Sequence, residues 1–286
     1  MANVITKSDE TFERAKAVIP GGISGHYGSF VRKNGPKFFS KSEGSRFWDV
    51  DGNEYIDLMC AYGAMVLGYN RPVVNEAALE QLKYGNTVSL ASPVMVDLAE
   101  TLVDMLDAAD WAMFSKNGGD ATAQSVLIAR AATGRKKIVK IKEGYHGVAA
   151  WMQEDRPGTT PADTEHVLEI PWNDLEAFQA LIDQYPSDIA CFISSAYEHS
   201  LFRDNALPSE GYWEGIEALC RKNSIVLIID EVRTGFRINL RGANVEYGFT
   251  PDLICLGKAI ANGFPLAALV GSDAMKDAAK EVYFTG

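Results

Sequence analysis

Two apolar runs in the second half of the chain most constrain its fold, because each leads into a charged residue. Residues 225–229 lead into Asp230, and residues 253–256 lead through Gly257 into Lys258. Continuous β-branched and apolar runs of this length are typical of parallel strands that are buried on both faces. Parallel strands of an open sheet bring functional groups together at their carboxyl ends. The sequence therefore predicts that Asp230 and Lys258 lie at one edge of a buried sheet.

An acid and a lysine in this placement fit the chemistry of pyridoxal phosphate. A lysine amine holds the aldehyde of this cofactor as a Schiff base, and a carboxylate keeps its pyridine nitrogen protonated, so that the ring accepts carbanion electrons. Lys258 and Asp230 match these two roles. For the pair alone, a solvated aspartate and a solvated lysine at ordinary strand ends form the alternative interpretation.

A glycine-rich turn earlier in the chain has the features of a phosphate-binding loop. A short apolar run precedes Asn117, Gly118 and Gly119, and a helical pattern over 123–132 follows them. Glycines let the backbone approach a ligand closely, and free N–H groups at the start of a helix attract a phosphate dianion. The alternative is a plain strand-to-helix turn that is capped by Asn117 or Asp120.

A tyrosine and a histidine stand between two glycines after another strand-like run. The run covers 137–141, and Gly144, Tyr145, His146 and Gly147 follow it. An aromatic side chain between glycines at a strand end can lie flat on a cofactor ring, because the glycines leave room for close approach. Tyr145 is therefore the candidate for stacking, and an aromatic side chain that covers the edge of the core is the alternative.

In this order, the sites make the sequence resemble the class III pyridoxal-phosphate-dependent aminotransferases of fold type I. Within that family the sequence resembles the glutamate-1-semialdehyde 2,1-aminomutase-like branch. The resemblance extends over nearly the whole chain and is carried by segments 19–22, 47–52, 55–57, 65–69, 117–119, 145–147, 230–232 and 256–258.

The resemblance assigns a role to each candidate residue. It implies that Lys258 forms the Schiff base and that Asp230 pairs with the pyridinium nitrogen, so these two are the predicted catalytic residues. It also implies that Tyr145 stacks on the ring and that the loop at 117–119 binds the phosphate. The full predicted cofactor-binding set is Asn117, Gly118, Gly119, Tyr145, His146, Asp230, Arg233, Lys258 and Thr285.

The sequence departs from the family pattern at three places. Gly28 stands where the aminomutases carry an arginine that binds the substrate carboxylate, which disfavours true aminomutase activity. The usual Glu-Pro is missing from 193–199. Arg233 stands where relatives have Met or Gln beside the phenolic oxygen of the cofactor. We expect a structural salt bridge for Arg233, and contact with that oxygen or with a substrate carboxylate is the alternative.

The resemblance implies an aminotransferase that moves an amino group from an amino acid or amine donor to a keto acid or aldehyde acceptor. Freed from the cofactor by substrate, Lys258 is then the general base that moves the α-proton. An aminomutase, racemase or epimerase on the same scaffold is the nearest alternative, and a catalytically idle cofactor-binding partner is another. A dinucleotide-binding fold is disfavoured, because the loop at Gly118 and Gly119 is not Gly-x-Gly-x-x-Gly.

Alternating helix and strand patterns predict an α/β fold with a mostly parallel, seven-stranded-type sheet. We predict an N-terminal arm over 1–70, which contributes to a small domain, and a large cofactor-binding domain over 71–286. We expect the C-terminal part of the small domain to be absent from this chain. The resemblance further implies a homodimer with shared active sites, in which Thr285 contacts the phosphate of the neighbouring subunit.

The charge pattern disfavours several classes of partner. With a net charge of −11, the chain offers no basic field for nucleic acid or for an anionic membrane. The four cysteines lie far apart, which is typical of reduced thiols. The histidines lack the spacing of metal ligands, so no metal site is predicted. No apolar leader starts the sequence, and we therefore expect a cytoplasmic enzyme that acts on small molecules.

Overall fold

The computed structural model describes residues 5–23, 35–85, 88–153, 156–199 and 204–283. Its contacts divide the chain into two compact units, Met1–Val88 and Ser89–Gly286. The predicted division after residue 70 stays a prediction. Gly28 and Thr285, which carry two of the sequence-based predictions, lie outside the described residues.

The first unit contains a small antiparallel sheet and short helices. Asp49 is fully buried at the end of its second strand, where it accepts backbone N–H groups from Asp51 at 3.0 Å and Asn53 at 2.8 Å. These hydrogen bonds fix the turn into the third strand. The elements are α1 (Thr6–Lys16), β1 (Phe39–Glu43), β2 (Arg46–Asp49), β3 (Glu54–Ile56), α2 (Cys60–Gly63) and α3 (Pro72–Leu82).

The second unit is built on a seven-stranded sheet. Its strands are β4 (Trp111–Ser115), β5 (Lys137–Ile141), β6 (Val167–Ile170), β7 (Ile189–Ser195), β8 (Val226–Glu231), β9 (Leu253–Leu256) and β10 (Ala267–Gly271). The spatial order is β4-β10-β9-β8-β7-β5-β6. Strands β5 to β9 pair in parallel, and β10 runs antiparallel to both of its neighbours. The predicted α/β fold with a mostly parallel sheet is confirmed.

Helices cover both faces of this sheet, which explains the uninterrupted apolar strands. Leu227 and Ile229 of β8 pack into the core on one face, and Val226 and Ile228 pack into the core on the other. Both faces exclude water, so no polar alternation is needed. The helices are α4 (Pro93–Met105), α5 (Gly118–Thr133), α6 (Pro161–Thr164), α7 (Leu175–Gln184), α8 (Tyr212–Asn223), α9 (Ala243–Tyr247) and α10 (Lys276–Glu281).

The parallel register sets where the candidate residues emerge. Asp230 lies opposite Ser195 in β7 and opposite Cys255 in β9. Lys258 follows β9 and opens a 3₁₀ turn over Lys258–Ala261. Asp230, near the end of β8, and Lys258, just after β9, therefore lie on neighbouring strands at the same edge of the sheet, as the sequence predicted. Across the described residues, no helix combines the length and apolarity that a membrane span requires.

Candidate active site

The carboxylate of Asp230 is held by two donors at the end of β8. Its Oδ2 atom lies 2.7 Å from Nδ1 of His146, and its Oδ1 accepts the backbone N–H of Val232 at 2.9 Å. Because a carboxylate accepts hydrogen bonds, Nδ1 of His146 carries the proton that it donates. Both side chains are buried. The geometry fixes the orientation of a charged group that is shielded from water.

His146 is joined to α5 through its backbone. Thr122 donates a hydrogen bond from Oγ1 to the carbonyl oxygen of His146, and the same hydroxyl lies 3.0 Å from the carbonyl oxygen of Gly119. The ring nitrogen Nε2 of His146 is buried and has no hydrogen-bond partner among the described groups. A buried polar atom without a protein partner is uncommon, and a bound water or ligand is one way to satisfy it.

Close backbone packing explains the glycines of the predicted phosphate loop. A Cβ atom on Gly118 would lie 2.5 Å from Cγ1 of Val232, and a Cβ atom on Gly147 would lie 2.8 Å from the Cα of Gly119. Larger residues therefore do not fit at Gly118 or Gly147 without movement of their neighbours. Gly147 also has a φ of 116°, which glycine adopts without strain.

Asn117 caps the helix that starts at this loop. Its Oδ1 accepts the backbone N–H of Asp120 at 3.1 Å, and its Nδ2 donates to the carboxylate of Asp120 at 2.7 Å. The capping interpretation is thus realised. The predicted anion binding stays compatible with this cap, because the first turn of a helix carries four N–H groups and a side-chain cap uses one of them.

Lys258 lies next to the same packing contact. A Cβ atom on Gly257 would lie 3.1 Å from Cγ1 of Val232, so one valine side chain contacts both the residue before Lys258 and Gly118. Lys258 has a φ of 44°, in the left-handed region that non-glycine residues rarely adopt. Burial lowers the pKa of its amine, Asp230 opposes this shift, and the charges of Arg233 and Arg237 add to it.

Tyr145 is exposed, with 55% of its surface accessible. An aromatic ring that remains open to solvent next to a buried histidine can cover a flat ligand. Its neighbours in sequence, His146 and Gly147, are the residues that contact Asp230 and Gly119.

Arg233 contacts a histidine that the sequence did not single out for this site. Its Nη1 lies 2.9 Å from Nδ1 of His199, whose Nε2 lies 3.0 Å from Oγ of Ser195. Burial, followed by the charge of Arg233, lowers the pKa of His199 to about 4, although Asp230 opposes this shift. The sequence also indicated no role for Val232 in the site, because a valine at the end of an apolar run does not differ from an ordinary core residue.

Within the described residues, several of the predicted site residues lie around Val232 and Asp230. Contacts link Gly118 to Val232, Gly119 to Gly147 and His146 to Asp230. A lysine amine with a lowered pKa, a fixed carboxylate, a glycine-lined helix start and an exposed aromatic ring fit a flat, phosphorylated aldehyde such as pyridoxal phosphate. Thr285, the remaining predicted member, lies outside the described residues.

Comparison with known protein families shows which family the chain belongs to. The aminotransferase class-III family model matches residues 30–282. The chain belongs to this family.

Two characterised relatives of this class-III aminotransferase are aminotransferases by name. The aminopentol aminotransferase of Sphingopyxis macrogoltabida is 39% identical over 282 residues, which are 98% of this chain and 67% of the relative. The 3-aminobutyryl-CoA aminotransferase of Cloacimonas acidaminovorans (strain Evry) is 37% identical over 272 residues, which are 94% of this chain and 65% of the relative. The chain thus spans about two thirds of their length.

A solved structure agrees with this class-III fold. The internal aldimine form, with pyridoxal phosphate, of the FumI protein from Sphingopyxis sp. MTA144 has a TM-score of 0.96 and 39% identity to this chain. The match covers 98% of this chain and 68% of that one. The predicted family, fold type and cofactor are confirmed, and the reaction of the named relatives is the predicted amino transfer. The aminomutase-like branch stays a prediction.

Proposed function

We propose that the chain catalyses the transfer of an amino group from an amino acid or amine donor to a keto acid or aldehyde acceptor, with pyridoxal phosphate as cofactor. The observation that carries the proposal is the convergence of Lys258 with the Asp230–His146 pair at one sheet edge. The contact between Gly118 and Val232 places the helix start beside them.

Each residue of the set has a defined task in this proposal. Lys258 binds the aldehyde of the cofactor, and the helix start at Gly118 and Gly119 binds its phosphate. Tyr145 covers the ring, and Asp230 pairs with the ring nitrogen. When bound, the cofactor supplies an electrophilic carbon and a protonated ring that takes up electron density.

In this proposal, the amine of Lys258 is the general base that moves the substrate proton. The lowered pKa of its amine increases the neutral fraction, and a neutral amine accepts a proton from the carbon that carries the substrate nitrogen. Asp230 stays oriented during this transfer, because His146 and the backbone N–H of Val232 donate to its two oxygens. Its negative charge is therefore in place before the reaction starts.

A donor and acceptor screen tests the proposal. The names of the relatives suggest an aminopentol and 3-aminobutyryl-CoA as donors, and pyruvate and 2-oxoglutarate serve as acceptors. We expect the deaminated donor and the aminated acceptor to form in equal amounts, and Lys258→Ala protein to form neither. A racemase or epimerase would instead change the configuration of one chiral amine without any acceptor. An idle binding protein would take up the cofactor and give no product.

We also propose that the chain forms a homodimer with shared active sites. The start of α4 supports this, because Val94, Met95 and Val96 are 55%, 44% and 52% exposed. Neighbouring exposed apolar side chains of this kind are typical of contact surfaces between proteins. Sedimentation equilibrium should give twice the mass of one chain, and Met95→Glu should shift the protein toward the monomer. A monomeric wild-type protein that is fully active would contradict the dimer.

The sharing of sites requires a separate experiment with two variants. If Thr285 acts on the neighbouring site, a heterodimer of one Lys258→Ala subunit and one Thr285→Ala subunit has one intact site and one doubly altered site. It should then have about half of the wild-type rate. If Thr285 acts within its own subunit, both sites are altered and mixing restores nothing.

A further inference from the structure

A histidine side chain connects β7 to Arg233 at the edge of the site. Ser195, the last residue of β7, lies opposite Asp230 in the sheet, and its Oγ is 3.0 Å from Nε2 of His199. Nδ1 of the same ring is 2.9 Å from Nη1 of Arg233. Three side chains therefore form a continuous hydrogen-bonded row that starts beside the catalytic carboxylate.

The row is compatible with one protonation state of His199. A guanidinium has N–H donors and no acceptor, so Nδ1 must accept the hydrogen bond from Arg233. In a neutral imidazole, the single proton is then on Nε2, which donates it to Oγ of Ser195. A protonated ring would place two donors, and two positive charges, against each other. The low pKa of His199, to which His146 contributes, agrees with a neutral ring.

A neutral acceptor has a different electrostatic effect from a carboxylate. An aspartate or glutamate at this place would fix the guanidinium and also cancel its charge. The imidazole fixes Arg233 and leaves its full charge to act on the surroundings. Among the described residues, Asp230 favours protonation of the Lys258 amine, and Arg233 and Arg237 oppose it.

We propose that His199 is a positioning residue. It holds the guanidinium of Arg233 without cancelling its charge at the sheet edge where Arg233 follows β8 and Lys258 follows β9, and the cation there favours the neutral amine. The proposal rests on the proposed function, because it takes Lys258 as the reactive amine. Arg237 is present in every variant of the test below, and its Nη1 donates to the carbonyl oxygen of Arg233 at 2.8 Å.

The test measures the protonation of Lys258 rather than turnover. The full chain, free of cofactor, is treated briefly with an amine-directed acylating reagent at a series of pH values. Mass spectrometry of the peptide that contains Lys258 gives the pH of half-maximal labelling. The variants are His199→Asn, which keeps a neutral acceptor near Nδ1, and His199→Asp, which replaces the ring with a carboxylate. His166→Asn, at a histidine that is 37% exposed, is the matched control.

The proposal predicts a difference between the two His199 variants. His199→Asp should raise the half-maximal pH by about one unit, because an opposite charge at this distance from Arg233 cancels its effect. His199→Asn and His166→Asn should stay at the wild-type value. An unchanged value in His199→Asp, or an equal shift in His199→Asn and His199→Asp, would overturn the positioning role.

A variant at Arg233 tests the same proposal if a His199 variant folds poorly. Arg233→Gln removes the charge itself and should raise the half-maximal pH as His199→Asp does. Adding His199→Asn to Arg233→Gln should change nothing further. Failure of the proposed function would look different, because wild-type protein incubated with cofactor and borohydride would then carry no label on Lys258.

Discussion

Oδ2 of Asp230 lies 2.7 Å from Nδ1 of His146, and the two residues are 4% and 3% exposed. A hydrogen bond to a charged acceptor is stronger than one between neutral groups, and removal from water strengthens it further. The two residues belong to different segments, the end of β8 and the loop after β5. Their contact therefore fixes the carboxylate of Asp230 and the ring of His146 in one arrangement.

Replacement of Asp230 should abolish most of the catalytic rate. Asp230→Ala removes a preorganised charge, and we expect a barrier increase on the order of several kcal/mol. Asp230→Asn keeps the shape and loses the charge, so it should lose most of the rate as well, whereas Asp230→Glu should be milder. The measurement is kcat with a saturating amino donor. Turnover near the wild-type rate in Asp230→Ala would refute the role of this carboxylate.

Covalent attachment of the cofactor should depend on Lys258. Borohydride reduction of the loaded wild-type protein, followed by peptide mapping, should place the label on Lys258. Lys258→Ala should take up no label and keep some affinity for the cofactor through the helix start at Gly118. Lys222→Ala, at an exposed lysine of α8, is the control and should be labelled as the wild type is. A label on any other lysine would refute the assignment.

Because Gly118 packs closely against Val232, substitution of Gly118 alone should destabilise the protein. Gly118→Ala forces its Cβ to within 2.5 Å of the valine, and we expect a loss of about 1 to 3 kcal/mol in the free energy of unfolding. Cofactor affinity should fall too, because the helix start moves. Val232→Ala provides space, so the double variant Gly118→Ala/Val232→Ala should recover stability relative to Gly118→Ala. Urea unfolding measures this recovery, and its absence would show that the clash is not the cause.

The parts of the fold that sequence could predict are those that have a local signal. The buried strands were visible as apolar runs, and Asp230 and Lys258 were visible because a charge follows each run. His199 lies four residues after β7 in an irregular segment, and its proposed role depends on the contact of its ring with the guanidinium of Arg233, which follows a different strand. Val232 acts through close packing against two glycines. Such contacts between distant segments leave no periodic pattern in the sequence.

A buried carboxyl beside the site should make stability depend on pH. Oε1 of Glu231 accepts the backbone N–H of Ala243 at 2.9 Å, whereas Oε2 is buried without a partner among the described groups. Burial and, to a smaller extent, the charge of Asp230 raise the pKa of Glu231 to about 7 from its ordinary value of 4.5, although the hydrogen bond from Ala243 opposes this. The folded protein therefore keeps a proton that the unfolded chain releases.

The sign of the effect follows from proton binding in the two states. Between pH 4.5 and about 7 the unfolded chain binds fewer protons at Glu231, so its contribution to stability is complete below pH 4.5 and is lost as pH rises toward 7. The loss is up to about 3 kcal/mol. His199 acts in the opposite direction, because its lowered pKa makes the folded state more stable as pH rises from about 4 to 6.5.

Glu231→Gln should separate these two opposing effects. Glutamine keeps an oxygen that can accept the N–H of Ala243 and stays neutral at every pH, so the contribution of Glu231 to the pH dependence disappears. In urea unfolding of the cofactor-free chain, the variant should match the wild type near pH 4.5 and be more stable than it at pH 8. Its stability should also rise more steeply with pH than that of the wild type, since the opposing effect of Glu231 is gone. The same pH dependence in both proteins would show that folding does not raise the pKa of Glu231.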